Sequence, residues 1–305
     1  MAFLELSLTL SAEQQARAEA ALEESGALSI TLLDADAETP DERAIFEPRV
    51  GETPLWKALV LNALFESDAD RATLLGGLRD ALPELSPEQI AFREVADQDW
   101  ERVWMDRFQP MRFGRRLWIY PWNIEPPADE SGSVIIRLDP GLAFGTGTHP
   151  TTALCLEWLD GLPLGGRTVL DFGCGSGVLA IAALKLGATH AIGVDNDPQA
   201  LTASSDNAQR NGVADRLSLY APDDLPRHTP SPCDVLVANI LAGPLHELAP
   251  VFATLLKPGT PFALSGILAG QESELLQRYA ATGFTDLQIT RREDWIRITG
   301  LRSES

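Results

Sequence analysis

Three glycines at alternating positions form the most informative motif of the sequence. Gly173, Gly175 and Gly177 stand between a stretch that predicts a strand and one that predicts a helix. Glycine lets the backbone turn tightly and approach a ligand with no Cβ in the way. Dinucleotide-binding loops need a third glycine at the position of Val178. Asp171 lies two residues before the first glycine, where a carboxylate attracts an ammonium and repels a diphosphate. The loop therefore favours a ligand with an amino-acid end.

A second acidic residue follows the next predicted strand. Asp195 lies about 20 residues past the glycine loop, where a carboxylate can accept hydrogen bonds from both hydroxyls of a ribose. The alternative is that Asp195 caps the helix predicted to begin near Pro198. Asp197 fits that cap better, which leaves Asp195 for a ligand. A ribose with an ammonium-bearing tail, and without a diphosphate, describes S-adenosylmethionine.

An asparagine ends the fourth strand of the same series, in the sequence Asn239-Ile-Leu-Ala242. In such folds this position faces the methyl group of the cofactor. Methyltransferases that act on planar amino groups often carry Asn-Pro-Pro-aromatic here, and this chain keeps only the Asn. The Asn239 carbonyl can accept a hydrogen bond from an amine and aim its lone pair, but the amide is not a base at neutral pH. The other interpretation is an Asn in a turn at the strand end.

The run Asp139–Thr152 is dense in Gly, Thr and Pro, which predicts a loop that binds through its backbone and hydroxyl groups. Phe144 at its middle favours a loop that folds over the cofactor, because a surface loop would not need this side chain. We expect Thr152 to cap the helix that follows, beside the cofactor. His149 is either a proton shuttle or a hydrogen-bonded polar residue, and the second role is the more common for a single His.

Alternating strands and helices must position these loops. The predicted strands are Thr168–Phe172, Ala191–Asp195, Leu217–Ala221, Asp234–Ile240, Pro261–Ile267, Thr285–Thr290 and Trp295–Leu301, the last two forming an antiparallel pair. The predicted helices are Val178–Leu186, Pro198–Gln209, Leu245–Leu256 and Gln271–Ala281. This alternation predicts an α/β domain with a seven-stranded, mostly parallel sheet covered on both faces. Ligands of such sheets lie beyond the carboxyl ends of the strands.

Residues 1–97 predict a separate, small α+β domain. Its predicted strands are Phe3–Leu10, Ser29–Leu33, Leu55–Phe65 and Gln89–Val95, and its predicted helices are Ala12–Leu28 and Asp70–Leu82. The third of these strands could also be helical. The order βαββαβ is that of a ferredoxin-like sandwich. Residues 98–113, rich in Trp and Arg, predict a linker helix, and residues 114–305 predict the catalytic domain. The basic linker could touch nucleic acid, although a solvated face is the more common reason for such a cluster.

Charge and composition exclude several classes of protein. The net charge of −20 argues against a broad nucleic-acid surface. Residues 1–97 hold 20 acidic and seven basic residues, most of the acidic excess. This bias either serves solubility, the more common reason, or forms a docking surface for a basic partner. Three cysteines without a C-x-x-C pair and four scattered histidines predict neither a disulfide scaffold nor a metal site. With no apolar stretch of about 18 residues and no basic leader, we expect a cytoplasmic protein.

The sequence resembles the bacterial protein methyltransferase A family, which methylates ribosomal protein L11. The segments that carry the resemblance are Asp139–Thr152, Asp171–Gly177, Gly193–Asp197, Asn239–Pro244, Ser265–Leu268 and Trp295–Gly300. The first and fourth of these are specific to the family, whereas the glycine loop alone would indicate only a methyltransferase. The amino-terminal half agrees with the family in length and pattern.

The resemblance implies a Rossmann-like class I methyltransferase domain whose cofactor contacts are Thr152, Gly173, Asp195 and Asn239. It also implies that the βαββαβ domain holds the substrate protein and that a flexible linker swings the catalytic domain over different amines. Lysine ε-amines and the α-amine would be trimethylated. A basic ribosomal substrate favours the docking interpretation of the acidic residues 1–97. We expect no membrane or direct nucleic-acid partner, and a monomer.

The expected reaction is in-line attack by a neutral amine on the methyl group, which leaves S-adenosylhomocysteine. The pKa of lysine is about 10.4 in water, and burial against Phe144 and other apolar walls would lower it. The expected catalytic residues are therefore Asn239 and Phe144. The expected cofactor contacts are Thr152, Asp171, Gly173, Gly175, Gly177, Asp195 and Asn239.

Three alternatives remain at this point. One is a nucleotide-dependent oxidoreductase, against which Val178 and Asp171 argue. Another is a methyltransferase that acts on nucleic acid or on a small-molecule amine. The acidic charge and the missing Pro-Pro-aromatic sequence disfavour nucleic acid as the substrate. The last is a non-catalytic ribosome assembly factor, against which the intact cofactor loop argues.

Overall fold

The structure is a computed structural model that describes residues 3–37, 55–95, 109–127, 132–138, 149–225 and 233–303. Contacts between Cα atoms divide the chain into two compact units, Met1–Asp99 and Trp100–Ser305. Among the helices in the described ranges, none is long and apolar enough to cross a membrane.

The amino-terminal unit is a four-stranded antiparallel sheet with two helices. Its elements are β1 (Phe3–Ser11), α1 (Gln15–Glu24), β2 (Ser29–Asp34), β3 (Ala58–Glu66), α2 (Arg71–Ala81), a 3-10 turn (Pro87–Gln89) and β4 (Ile90–Val95). The strand order is β2-β3-β1-β4. Alternate leucines of β1 are buried with α1 and α2, as expected when one face of a sheet packs on helices. The predicted βαββαβ order is confirmed, and the segment that could have been a helix is strand β3.

The second unit contains a seven-stranded sheet. Its strands are β8 (Thr168–Phe172), β9 (His190–Val194), β10 (Leu217–Tyr220), β11 (Val235–Asn239), β12 (Pro261–Leu268), β13 (Phe284–Arg292) and β14 (Trp295–Arg302). Its helices are α3 (Pro150–Asp160), α4 (Val178–Lys185), α5 (Pro198–Arg210), α6 (Ala242–Leu255) and α7 (Glu272–Ala281), with 3-10 turns at Ala214–Arg216 and Pro222–Asp224. The strand order is β10-β9-β8-β11-β12-β14-β13, and β14 runs antiparallel to both of its neighbours.

The central strands β8, β9 and β11 are buried on both faces, which explains their nearly continuous apolar sequences. Separate clusters of buried side chains cover the two faces of the sheet. The predicted α/β class is therefore confirmed, and each predicted strand and helix of this sheet is present with ends that differ by a few residues.

A small three-stranded sheet precedes the large one and was not predicted. It consists of β5 (Met111–Phe113), β6 (Leu117–Tyr120) and β7 (Val134–Arg137) in the order β5-β6-β7. The predicted linker helix over residues 98–113 is wrong at its end, because Met111–Phe113 pairs with β6 as a strand. Residues 98–108 of that prediction lie outside the described residues.

A buried carboxylate joins this small sheet to helix α3. Asp160 ends the helix, and its side chain is 2% exposed. It accepts hydrogen bonds from the backbone N–H groups of Arg115 (2.6 Å) and Arg116 (3.3 Å) and from Arg116 Nε (3.1 Å). Since these donors occupy the turn between β5 and β6, one side chain fixes the position of the hairpin on the helix.

Replacement of Asp160 by alanine should lower the free energy of unfolding of the second unit by about 3 kcal/mol, because backbone donors lose their partner. Asp206→Ala, at an exposed position of α5, is the matched control and should change it by less than about 0.5 kcal/mol. Urea unfolding of the two variants and the wild type measures the difference. Equal midpoints for Asp160→Ala and the control would contradict this role of Asp160.

Candidate active site

The predicted site residues converge where the strand order reverses. Strand β8 pairs in parallel with β9 on one side and with β11 on the other. The glycine loop follows β8, Asp195 follows β9, and Asn239 is the last residue of β11. Parallel strands end at the same edge of a sheet, and the crevice at such a reversal is where open α/β sheets bind ligands.

The glycine loop has a backbone that side chains would disturb. Gly173, Gly175 and Gly177 have positive φ angles of 79°, 53° and 78°. A Cβ at Gly177 would lie 2.8 Å from the Ser204 hydroxyl oxygen, closer than such atoms approach in proteins. The Gly173 N–H donates to the Val194 carbonyl at 2.7 Å, which ties the loop to the end of β9. The loop is therefore compact, and its glycines let it pack closely against neighbouring side chains.

Asp195 supports the glycine loop and keeps acceptor capacity. Its Oδ2 accepts the Gly175 N–H at 2.9 Å, and its Oδ1 accepts the Asp197 N–H at 3.0 Å. Asp197 caps α5 by accepting the Gln199 N–H at 2.8 Å, as the sequence predicted. Because each carboxylate oxygen can accept more than one hydrogen bond, the half-buried Asp195 has lone pairs left for a hydroxyl ligand.

Asp171 lies beneath the loop, completely buried. Its Oδ2 accepts the Ala180 N–H in the first turn of α4 at 3.0 Å. Its Oδ1 has no hydrogen-bond partner among the described residues. The pKa of the Asp171 carboxyl is raised to about 7, chiefly because the group is buried; the Ala180 hydrogen bond opposes this rise, and the nearby charge of Asp195 adds to it. A buried acceptor without a donor is costly, so this carboxylate is suited to an added donor.

Asn239 and Thr152 meet across the site although 87 positions separate them. The Asn239 side-chain nitrogen donates to Thr152 Oγ1 at 3.3 Å, and Thr152 is 2% exposed. With its nitrogen directed to Thr152, the half-buried Asn239 presents its carbonyl oxygen as the free end of the amide. The contact between the two residues supports the prediction that they share one site.

The prediction that Thr152 caps helix α3 is wrong. The cap is His149, whose backbone is extended (ψ 137°) and whose Nδ1 accepts the Thr151 N–H at 3.4 Å. The same ring nitrogen lies 2.7 Å from Thr151 Oγ1, and the ring packs edge-on against Trp295 with centroids 4.7 Å apart. Burial lowers the pKa of His149, and the charge of Glu293 opposes this. These contacts support the interpretation of His149 as a hydrogen-bonded polar residue.

Phe144 and the rest of residues 139–148 lie outside the described residues. The sequence reasoning also missed residues that contact the end of β11. Ile240 and Gly266 come together there, where β12 changes register between Leu264 and Ile267. A glycine inside a predicted strand is a known signal of such a bulge, and Gly266 could have been found by it.

A cavity of about 430 Å³ lies at the opposite ends of the strands. Its lining includes Arg167, Asp234, Lys257 and Pro261, which precede or begin strands. Lys257 and Asp234 form an ion pair at 2.6 Å. Since the glycine loop and Asn239 follow their strands, this cavity is separate from the candidate active site.

The whole chain matches a family model described as ribosomal protein L11 methyltransferase (PrmA), over residues 2–303. A protein of that name from Stenotrophomonas maltophilia (strain K279a) is 58% identical over 308 residues, covering 99% of each chain. Another from Pseudomonas paraeruginosa (strain DSM 24068 / PA7) is 56% identical over 305 residues, again covering 99% of each. The crystal structure of a ribosomal protein L11 methylase from Lactobacillus delbrueckii subsp. bulgaricus is 34% identical, with a TM-score of 0.58, covering 64% of this chain and 100% of that one.

The strand order, the glycine loop and these relatives together define a class I S-adenosylmethionine-dependent methyltransferase. The chain belongs to the ribosomal protein L11 methyltransferase (PrmA) family. The resemblance found in the sequence is therefore confirmed over nearly the whole chain.

The buried carboxyl of Asp171 predicts a pH-dependent stability. Its pKa is about 7 in the folded protein against 3.8 without perturbation, so protonation favours the folded state. The stability that the protonated Asp171 carboxyl contributes is fully present below a pH of about 4 and is lost as the pH rises through about 7. In the ligand-free protein, the free energy of unfolding of Asp171→Asn relative to wild type should therefore rise between these values and level off above them.

Urea unfolding at several pH values measures this difference. Asp206→Asn, at an exposed position, serves as the control and should stay parallel to wild type. A constant difference between Asp171→Asn and wild type across the same range would show that Asp171 is not held in this way.

Proposed function

We propose that the chain transfers methyl groups from S-adenosylmethionine to lysine ε-amines and the N-terminal α-amine of ribosomal protein L11. The observation that carries the proposal is the Asn239 amide, anchored by Thr152 at the end of β11 and next to the glycine loop at the end of β8. This arrangement supports Asn239 as the group that orients the amine beside the cofactor. The names of the relatives support L11 as the acceptor.

The described residues fit the cofactor. Asp195 has acceptor capacity for the ribose hydroxyls, and the tight turn of the backbone at Gly173, Gly175 and Gly177 follows the same edge of the sheet, where we propose that the amino-acid end lies. Asp171 Oδ1 lacks a donor, and the cofactor ammonium is the charged donor that would satisfy it, directly or through a water.

The cofactor supplies a methyl group on a positively charged sulfur. The chain must hold the amine in line with the carbon–sulfur bond while the new nitrogen–carbon bond forms and the old bond breaks. The Asn239 carbonyl accepts an amine N–H and so directs the nitrogen lone pair, while Thr152 fixes the amide. No side-chain base is required, because the incoming ammonium loses its proton to water before the attack and the methylated amine loses one afterwards.

We propose that apolar side chains near Asn239 favour the neutral amine. Leu241 lies two positions after Asn239 and is 49% exposed although it is a large apolar residue. Apolar contacts remove water from a lysine amine and lower its pKa below the usual value of about 10.4. We propose that Phe144 adds a further apolar wall when substrate is bound.

The amino-terminal unit is proposed to hold the substrate. Residues 1–97 carry 20 acidic and seven basic residues, and exposed acids on and near its helices include Glu23, Glu24, Asp80 and Glu88. A basic ribosomal protein would be steered to this surface and oriented on it. We propose residues 1–97 as the recognition domain, the following residues as a linker up to the strand at Met111, and the remainder as the catalytic domain of a cytoplasmic monomer.

The central test is methyl transfer to purified L11 from labelled S-adenosylmethionine, with mass spectrometry of the product. Wild type should methylate lysines and the α-amine. Asn239→Ala should lower kcat by about 100-fold, because the amine loses its orientation, and should change the Kd of S-adenosylhomocysteine much less.

Two controls define the outcome. Another basic ribosomal protein and total RNA are offered as acceptors in the same assay. If the label appeared in RNA and not in L11, the methyl acceptor would be RNA and the proposed acceptor would be wrong. Full activity of Asn239→Ala would show that Asn239 has no role in the mechanism.

The role of Asp195 has its own prediction. Asp195→Asn should raise the Kd of S-adenosylhomocysteine by about 10- to 100-fold, because charge-assisted hydrogen bonds to the ribose are lost. Asp197→Asn makes the same change in net charge but keeps a good helix cap. Its Kd for S-adenosylhomocysteine should stay within about twofold of the wild-type value. Calorimetry of the two variants measures both constants. Equal affinities would mean that Asp195 serves the loop and not the ligand.

A further inference from the structure

Ile240 contacts both halves of the active site, and the proposed mechanism gives it no role. It follows Asn239 directly; its backbone meets a glycine of β12, and its side chain meets a glycine of the loop after β8. We infer that Ile240 is a positioning residue, whose β-branched side chain fixes where Asn239 presents its amide relative to the cofactor loop. This inference rests on the proposed function of Asn239.

The backbone of Ile240 lies against Gly266. A Cβ at Gly266 would lie 2.7 Å from the Ile240 carbonyl carbon and 3.1 Å from its nitrogen, and it would overlap the carbonyl oxygen. Gly266 also has a φ of +83°, which other residues rarely adopt. No other residue type would allow the two backbones to approach this closely.

A bulge in β12 holds Gly266 in this place. Asn239 pairs with Ser265 in the parallel register of β11 and β12, and the pairing of β12 with β14 shifts immediately afterwards. The Ser265 hydroxyl, fully buried, donates to the Ile296 carbonyl at 3.0 Å and so anchors the bulge to β14. Bulges commonly re-aim a neighbouring side chain, and here the neighbour is the strand end that carries Asn239.

The side chain of Ile240 lies against Gly173. The Cγ2 methyl occupies the space that a Cβ of Gly173 would need, so the methyl packs directly on the first glycine of the cofactor loop. The loop itself is held independently, because the N–H groups of Gly173 and Cys174 both donate to the Val194 carbonyl, at 2.7 and 3.0 Å. The glycine loop is thus a fixed surface, and Ile240 is the residue that takes its position from it.

These contacts make the position of Asn239 depend on one methyl group. Asn239 is bonded to Thr152 through its side chain at 3.3 Å, and its neighbour Ile240 is confined between Gly266 and Gly173. Loss of the Cγ2 methyl frees the strand end to move toward the loop. A displacement of about 1 Å of a group that orients a substrate can lower the rate by about 100-fold without loss of cofactor.

Two substitutions separate the shape of Ile240 from its size. Ile240→Leu keeps the volume but has no methyl on Cβ, whereas Ile240→Val is smaller but keeps the Cγ2 methyl. We expect kcat for L11 methylation to fall by about 10- to 100-fold in Ile240→Leu, and the conservative Ile240→Val to retain it within about threefold. The Kd of S-adenosylhomocysteine should stay within about threefold in both, because the loop keeps its hydrogen bonds to Val194.

A purely space-filling role predicts the opposite order, since valine leaves the larger void. Equal losses in the two variants, or a larger loss in Ile240→Val, would overturn the inference. Failure of the proposed function is distinct: it appears as no L11 methylation by wild type, or as full activity of Asn239→Ala. Both Ile240 variants should fold, since swaps among aliphatic residues cost less than about 1.5 kcal/mol.

A glycine pair tests the backbone contact. Gly266→Ala should lower kcat because the added Cβ displaces the Ile240 carbonyl. Gly270→Ala places alanine at a similarly positive φ of +105° with nothing within 4 Å of the new Cβ, and it should leave kcat unchanged. Similar kcat values for the two alanine variants, with both folded by thermal unfolding, would contradict the proposed contact.

Discussion

The parallel pairing of β8 with β9 and with β11 is the constraint on which the site depends. It brings the glycine loop, Asp195 and Asn239 to one edge of the sheet, although they are far apart in sequence. The two pairings lie on opposite sides of β8, so Asp195 and Asn239 flank the glycine loop from two directions.

The site also carries an electrostatic cost. Asp171 is buried without a full set of donors, and the nearby charge of Asp195 adds to the penalty, so its pKa rises to about 7. In the ligand-free protein near neutral pH, this carboxylate is only partly ionised and destabilises the fold. A cationic ligand would supply both the charge and the donor that the site lacks. Sites that violate the usual rules of burial in this way are typical of ligand binding, because stability is given up where function requires it.

Sequence reasoning succeeded where the signal is local. The alternation of apolar strands with helices predicted the large sheet, and the order βαββαβ predicted the small one. It failed on β5, β6 and β7, whose three or four residues carry too short a pattern. The misplaced cap had a local signal that was overlooked. Pro150 forces the residue before it into an extended backbone and is itself favoured at the first helical position, so His149 is the cap.

The contacts of Ile240 could not be predicted in the same way. A sequence shows that Gly266 lies within a strand, but the position opposite the bulge depends on the register of β11, β12 and β14 together. A shift of one residue in the pairing of β11 with β12 would place a different residue against Gly266. The geometry around Asn239 is therefore a property of the assembled sheet. We therefore expect removal of the bulge on the neighbouring strand to impair the proposed role of Asn239 even where the asparagine itself is kept.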